Sequence, residues 1–325
     1  MHIDTNGQTL GDRRVPDFII IGAAKCGTTS LHHILVQHEQ VFIPDREVYF
    51  FDVDDFEQHT DFFTHGGQFS FHDFDRDFET YADWYQDFFR DARPGQLIGE
   101  DSTTYLASER APARIARLLP NVRLVAMLRD PVARAYSHYW HNVRAGYATH
   151  TFEKTLRYNT GNLLRRGYYF EQLERYRPLL DSGQLLVLFF EDFVADTDGT
   201  IERVCAHIGL PEAPELVDID TRQNAGSHPW FLPGRLWMNS TFRPLFAKRR
   251  RIPNTPGYQS LGAAPRPVPG RRSFVDRIGA FLPKRRVPPI RPETRTFLEQ
   301  TFRRENAGLS ELLDTDVSAR WPYMR

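Results

Sequence analysis

The segment FIIIGAAKCGTTSL, residues 18–31, constrains the fold more tightly than any other part of the chain. Phe18 to Ile21 are bulky and apolar, and Pro16 and Gly22 bracket them. That pattern predicts a short strand buried on both faces, as in a parallel sheet. Gly22 and Gly27 bound a turn, and Thr28, Thr29 and Ser30 suit a helix start that continues through Leu31, Ile34 and Leu35. Strand, glycine turn and helix in this order have the layout of a phosphate-binding loop; read alone, they are equally a plain glycine turn with Lys25 solvated. Backbone N–H groups of Lys25, Cys26, Gly27, Thr28 and Thr29 can cradle a phosphate at the helix N-terminus, and the hydroxyls of Thr28, Thr29 and Ser30 add donors.

The lysine separates this loop from that of an ATPase. A Walker A loop reads G-x-x-x-x-G-K-[ST]. Gly22 and Gly27 have that separation, but Thr28 stands at the lysine position and Lys25 lies inside the loop. From there its ammonium projects toward the bond beyond the cradled phosphate. No strand ending in a Walker B aspartate is evident. LRD at 128–130 comes nearest, and its aspartate follows an arginine. Metal-assisted hydrolysis is therefore poorly supported, and no metal is expected.

Two further apolar runs, VRLVAMLRD (122–130) and QLLVLFFED (184–192), each lead into a helical pattern. The first pattern, 131–145, opens on Pro131, which suits the first helical turn. The second, 200–208, places Ile201, Val204 and Ile208 on one face. Alternating strands and helices predict an α/β, P-loop-like three-layer fold, with a mainly parallel sheet flanked by helices and a site at the carboxyl ends of its strands. A polar tail (1–16) precedes a single domain (17–325). Residues 52–91 are rich in Asp and Phe. Residues 243–291 hold thirteen Lys/Arg, one acid (Asp276) and nine prolines, a density that predicts an excursion without regular structure. A helical pattern returns at 293–313.

Composition narrows the function classes. A formal net charge of −1 gives no overall bias toward nucleic acid. Cys26 and Cys205 are too few for a disulfide framework or a conventional zinc site, and a reduced, cytoplasmic setting is the simplest expectation. The first fifteen residues lack the apolar core of a secretory signal, and no run approaches the roughly 18 apolar residues of a membrane span.

With its neighbours, the loop becomes specific. PDFIIIGAAKCGTTSLHHIL resembles the 5′-phosphosulfate loop of sulfotransferases that use 3′-phosphoadenosine 5′-phosphosulfate (PAPS). LRDPVARAYSHYWH (128–141) is similar to the 3′-phosphate motif of that family. EVYFF (47–51), GEDSTTYLASE (99–109), RGYYFEQLERY, LFFEDF and ENAGLSELLDTDVSARW resemble segments of its heparan-sulfate-type and bacterial members. The resemblance runs from about Asp17 to Trp321. It implies that PAPS is the co-substrate and 3′-phosphoadenosine 5′-phosphate (PAP) the product, that Arg129 and Ser137 bind the 3′-phosphate, and that Glu47 is the general base. It also implies adenine contacts at Tyr168 and Tyr169, since Gly167 and Tyr169 fit the family's Gly-x-Tyr; read alone, both are equally core packing. Read alone, Arg129-Asp130-Pro131 is a strand-to-helix turn with a local ion pair, and Glu47 beside Arg46 is a surface pair.

Sulfuryl transfer has the form of phosphoryl transfer: in-line attack, with positioning and electrostatics doing most of the work. Lys25 would stabilise charge on the bridging oxygen as the bond to sulfur breaks. The acceptor, a hydroxyl or amine on a small molecule or glycan, must lose a proton to a base. His138 and His141, three apart on the predicted helix, are rival bases to Glu47. Two departures bear on the acceptor. The resemblance implies a lysine where Asp101 stands, and Gln or His where Tyr49 stands. The basic 243–291 segment could close over the nucleotide or grip an anionic acceptor; for most of its charges the plainer reading is a solvated surface loop. A P-loop kinase or NTPase, and a nucleotide-binding module without catalysis, are the alternatives. PAP stabilisation without magnesium, exceeding that by ATP, separates the first reading from the kinase.

Overall fold

The computed structural model of the chain describes residues 8–65, 68–69, 71–158, 160–211, 213–214, 227–229, 231–247 and 284–325. Its strands in chain order are β1 (Phe18–Gly22), β2 (Val41–Phe42), β3 (Thr64–His65), β4 (Gln68–Phe69), β5 (Leu97–Asp101), β6 (Arg123–Leu128), β7 (Leu185–Phe189), β8 (Ser227–Pro229) and β9 (Lys284–Arg286). Five of them form one sheet, ordered β2-β5-β1-β6-β7, and every pairing within it is parallel. β1 lies at its centre with all five residues buried, which is why FIIIG is a continuous apolar run rather than an alternating one. β3–β4 and β8–β9 are separate antiparallel pairs.

The first four helices are α1 (Thr28–Leu35), α2 (Phe78–Gln86), α3 (Ala111–Leu118) and α4 (Pro131–Ala145). α4 has the bounds that the sequence predicts. The Asp130 side chain accepts from Val132 N at 2.9 Å, Pro131 occupies the first turn, and Gly146 (φ +88°) ends the helix. The predicted strands at 122–130 and 184–192 are β6 and β7, and the pattern at 200–208 belongs to a helix, Thr197–Ile208.

The Asp- and Phe-rich stretch forms a second wall of the core. Phe50 stacks on Tyr85 at 4.1 Å, edge-on to Phe51 and Phe74. Its acids meet the arginines of α3 and the residue before it. Asp54 pairs with Arg114 and Arg110, each at 2.6 Å, and Asp55 accepts from Ser108 at 2.7 Å.

Two expectations are corrected. Residues 243–291 are not uniformly irregular: helix Leu232–Ala247 runs through Pro244, and β9 forms near the other end, so only residues 248–283 lie outside the described residues. Pro244 forfeits one helical hydrogen bond within that helix. The 293–313 pattern is two helices, Pro292–Glu305 and Leu309–Leu312, because Gly308 takes φ +89° between them. Among the described residues no helix is long and apolar enough to cross a membrane.

Candidate functional site

The glycine loop leaves β1 at the carboxyl edge of the sheet and packs closely on both sides. Gly22 has φ +140°, and a Cβ there would stand 2.9 Å from Thr103 O. Gly27 has φ +97°, and a Cβ there would stand 2.8 Å from the Phe190 ring. Neither position has room for a side chain. Ala23 N donates to Met127 O at 2.9 Å, which joins the loop to β6.

The residues expected to meet a phosphate divide by position. Thr28 is buried, Ser30 half-buried and Thr29 exposed. The N–H groups of Thr28 and Thr29 lie in the first turn of α1, where a helix offers them no internal acceptor. Cys26 acts from inside the loop: its N–H closes the turn on Ala23 O at 3.2 Å. Its thiol is buried 3.6 Å from Tyr169 Oη, and burial pushes it up to about 11, so it is no nucleophile.

Arg129 follows β6 and turns toward the loop. Its Nη1 lies 3.4 Å from Lys25 O, and its guanidinium lies over the Phe190 ring at 4.6 Å. Ser137 is half-buried on α4, six residues after Pro131. Tyr169 is fully buried; its ring lies 6.0 Å from that of Trp321, and its hydroxyl donates to Arg129 O at 2.9 Å. Tyr169 thus joins the loop to the arginine from behind. Tyr168 is half-buried against Phe302.

Lys25 takes φ +73° and its Nζ lies 3.2 Å from His141 Nδ1. Burial, then the charge of Arg144, draws the lysine below its ordinary range, while Glu47 pulls the other way. Burial, with Lys25 and Arg144, pushes His141 down to about 4. His141 is therefore neutral at physiological pH, and its Nδ1 lone pair faces the ammonium. His138 is buried, with its Nδ1 3.5 Å from Arg134 Nη1; burial and that arginine draw it well below the ordinary range.

Glu47 is half-buried, and its carboxylate is held on both oxygens. Thr103 N donates to Oε1 at 3.0 Å, the Thr103 hydroxyl donates to the same oxygen, and Tyr49 Oη donates to Oε2. Tyr49 takes φ +61°. The turn carrying these residues is anchored by Ser102 Oγ, which accepts from Val48 N (3.1 Å) and Tyr49 N (3.0 Å) and donates to Glu100 Oε1 (2.7 Å). Both lone pairs and the proton of one hydroxyl are thus used. Tyr85 (2.5 Å) and Tyr105 (2.6 Å) complete the shell around Glu100.

The structure therefore brings Lys25, Glu47 and Arg129 to one edge of the sheet, with Thr28–Ser30 opening α1 beside them. Residue-by-residue reading missed several supports. Ser102 and Thr103 lie in a recognised segment, but only the fold shows that they hold the Glu47 turn. Arg134 is fully buried; its Nε has no hydrogen-bond partner, and no carboxylate pairs with it among the described residues. Its position in the Arg129–Ser137 motif was the one available signal. Asn306 ties the Gly167 turn, donating to Gly167 O at 3.0 Å and accepting from Phe170 N at 3.1 Å. A cleft of about 470 Å³, lined by Glu57, Arg165, Arg166 and Arg175 among others, includes no residue of the glycine loop.

A parallel sheet with a glycine loop at its centre places the chain among the P-loop-like α/β proteins. Within that class it belongs to the sulfotransferase family, whose model matches residues 16–214. The chain is 28% identical over 208 residues to mouse heparan sulfate glucosamine 3-O-sulfotransferase 3B1, covering 62% of this chain and 47% of that protein. It is 29% identical over 218 residues to human bifunctional heparan sulfate N-deacetylase/N-sulfotransferase 2, covering 61% of this chain and 22% of that protein. The chain thus spans about half the length of the first relative. The crystal structure of a sulfotransferase from Alicyclobacillus acidocaldarius superimposes with a TM-score of 0.63 at 23% identity, over 96% of this chain and all of that one, and shares the fold.

Proposed function

We propose that the chain transfers the sulfuryl group of PAPS to a hydroxyl or amine acceptor by in-line displacement, with carbohydrates the first acceptor class to test. One observation carries the reading: Arg129 Nη1 lies 3.4 Å from Lys25 O, and Lys25 lies within electrostatic reach of Glu47. A phosphate-cradling turn, a second phosphate-binding cation and a carboxylate thus share one edge of the sheet. Family membership supports the same conclusion.

In this reading the N–H groups of Thr28 and Thr29 and the hydroxyls of Thr28, Thr29 and Ser30, on the turn that Cys26 and Gly27 shape, hold the 5′-phosphate. Arg129 offers its planar fork to the 3′-phosphate, with Ser137 adding a hydroxyl. Tyr169 supports the nucleotide side by fixing the backbone of Arg129. Glu47 takes the acceptor proton while Lys25 meets the charge developing on the bridging oxygen. Glu47 suits the base role better than either histidine. His141 Nδ1 already faces the lysine, and His138 is buried against Arg134. Thr103 and Tyr49 fix the carboxylate before substrate arrives, so little reorganisation is left for the reaction.

The test is direct. PAP should raise the melting temperature without magnesium and by more than ATP does, and labelled PAPS should pass its sulfur to an acceptor in a screen of glycans, phenols and alcohols. Stabilisation by magnesium-ATP exceeding that by PAP would overturn the reading in favour of a kinase.

A further inference from the structure

Asp101 is the last residue of β5, two residues before the threonine that holds Glu47. Adjacent residues of a strand face opposite sides. Glu100 points to one side, where Tyr85, Tyr105 and Ser102 satisfy it. Asp101 points to the other, toward α1, where its Oδ2 lies 3.5 Å from His32 Nδ1. Asp101 is only 8% exposed, and its Oδ1 is buried without a hydrogen-bond partner among the described residues. An orphaned buried carboxylate oxygen is costly and calls for an explanation; the Asp101 orphan lies beside the Glu47 turn. Two groups of the base turn lie within electrostatic reach: Glu47 acts on Asp101, and Asp101 acts on Tyr49. Burial above all pushes Asp101 up to about 6; the contact with His32 opposes this, and Glu47 adds to it. The orphan oxygen therefore belongs to the acceptor side of the centre.

We propose that Asp101 is a specificity-determining residue. Its Oδ1 accepts a hydrogen bond from an ammonium or hydroxyl group neighbouring the atom that Glu47 deprotonates, and the site rejects acceptors with an anionic group there. This rests on the sulfuryl-transfer reading above. A carboxylate or sulfate at that position would meet both Asp101 and Glu47, and like charges in a partly buried site strongly disfavour binding. An ammonium is favoured by both.

The experiment measures binding to PAP-loaded protein by calorimetry. Three probes are used: a glucosamine tetramer (amine), cellotetraose (hydroxyl only) and an N-sulfated heparosan oligosaccharide (anionic). Wild type should bind the amine or hydroxyl probe at least tenfold more tightly than the anionic one. The two arms distinguish an ammonium donor from a hydroxyl donor. Asp101→Asn, nearly isosteric, should reduce that ratio about tenfold, and Asp101→Lys should reverse it, both with PAP affinity unchanged. A merely structural aspartate would weaken all three probes and PAP together. The inference fails if wild type binds the anionic probe as well as the others, binds none of them while binding PAP, or keeps its ratio in Asp101→Asn. Failure to bind PAP would instead overturn the transfer reading, and this inference with it.

Discussion

The Nζ of Lys25 lies 3.2 Å from Nδ1 of His141, so the lysine inside the phosphate loop is met by a neutral imidazole on α4. The pair fixes where the ammonium points, and burial, with Lys25 and Arg144, keeps the imidazole unprotonated.

For His141, a folded-state value near 4 against an ordinary 6.5 means that the unfolded chain binds the extra proton between these limits. Its contribution to stability is complete above about pH 6.5 and is lost as pH falls toward 4. Ring-carbon NMR of His141 should therefore show a midpoint near 4. Lys25→Met removes one charge beside it, and the midpoint should rise. A wild-type midpoint near 6.5 would mean that the lysine contact does not form in solution. Lys25→Met should also lower sulfuryl transfer by about 10²–10³-fold, the cost of losing one donor to a developing oxyanion.

Glu47→Gln should lower turnover by roughly 10²–10⁴-fold, the usual worth of a general base, with a smaller loss of PAP affinity. Thr103→Val removes only the hydroxyl donor to Glu47, leaves the backbone donor, and should cost about tenfold in kcat with KM for PAPS unchanged. Single-turnover assays separate the two. Wild-type turnover in Glu47→Gln on a verified acceptor would remove Glu47 from the base role.

Arg129 should determine the preference for a 3′-phosphate. Calorimetry with PAP and AMP should show wild type favouring PAP and Arg129→Ala losing most of that preference. The expected loss is about 1.5–3 kcal/mol, or roughly 10–100-fold, the range for hydrogen bonds to charged groups. Equal loss of both ligands would show that the arginine supports the fold rather than the 3′ end.

Arg134 gives a prediction of unusual sign. A fully buried guanidinium with no acid partner among the described residues is costly, and burial draws it below its ordinary range. The phosphates proposed for the neighbouring loop would compensate it. Arg134→Met should therefore leave the melting temperature of the nucleotide-free protein unchanged or raise it, while shrinking the rise that PAP produces. Arg134→Lys should retain more of that rise. A lower melting temperature with an undiminished PAP shift would count against this account.

Glu100 predicts a pH slope. Burial raises it to about 7, although Tyr105, Tyr85 and Ser102 each donate to it. The folded chain then holds an extra proton between about 4.5 and 7, so this contribution is complete at the acid end and is lost as pH rises through 7. Glu100→Gln cannot ionise. Thermal melts from pH 5 to 8 should be flatter for that variant than for wild type.

Local chemistry decides how much of this was legible beforehand. FIIIG, RLVAML and LLVLF announce themselves as strands because burial on both faces demands continuous apolar residues. β5 escaped residue-by-residue reading because LIGED ends in two acids, whose burial is understandable only once Tyr85, Tyr105 and His32 are seen around them. The loop, Arg129 and Glu47 could be named from short motifs. Their supports could not, since Ser102 to Val48, Asn306 to Gly167 and Tyr169 to Arg129 are contacts between residues far apart in the chain. The Asp- and Phe-rich stretch stands out only by composition, because the partners of Asp54, Arg110 and Arg114, lie 56 and 60 residues away.

The C-terminal part of the chain returns to the site without entering it. Asn306 braces the Gly167 turn, Trp321 backs Tyr169, and the Tyr323 hydroxyl donates to Asp130 Oδ1 at 2.8 Å, beside Arg129. These contacts reach back to the middle of the chain: the backing of Tyr169 and Asp130 comes from residues 321 and 323. Removing residues 321–325 should therefore weaken PAP binding while leaving every proposed reacting group in the chain.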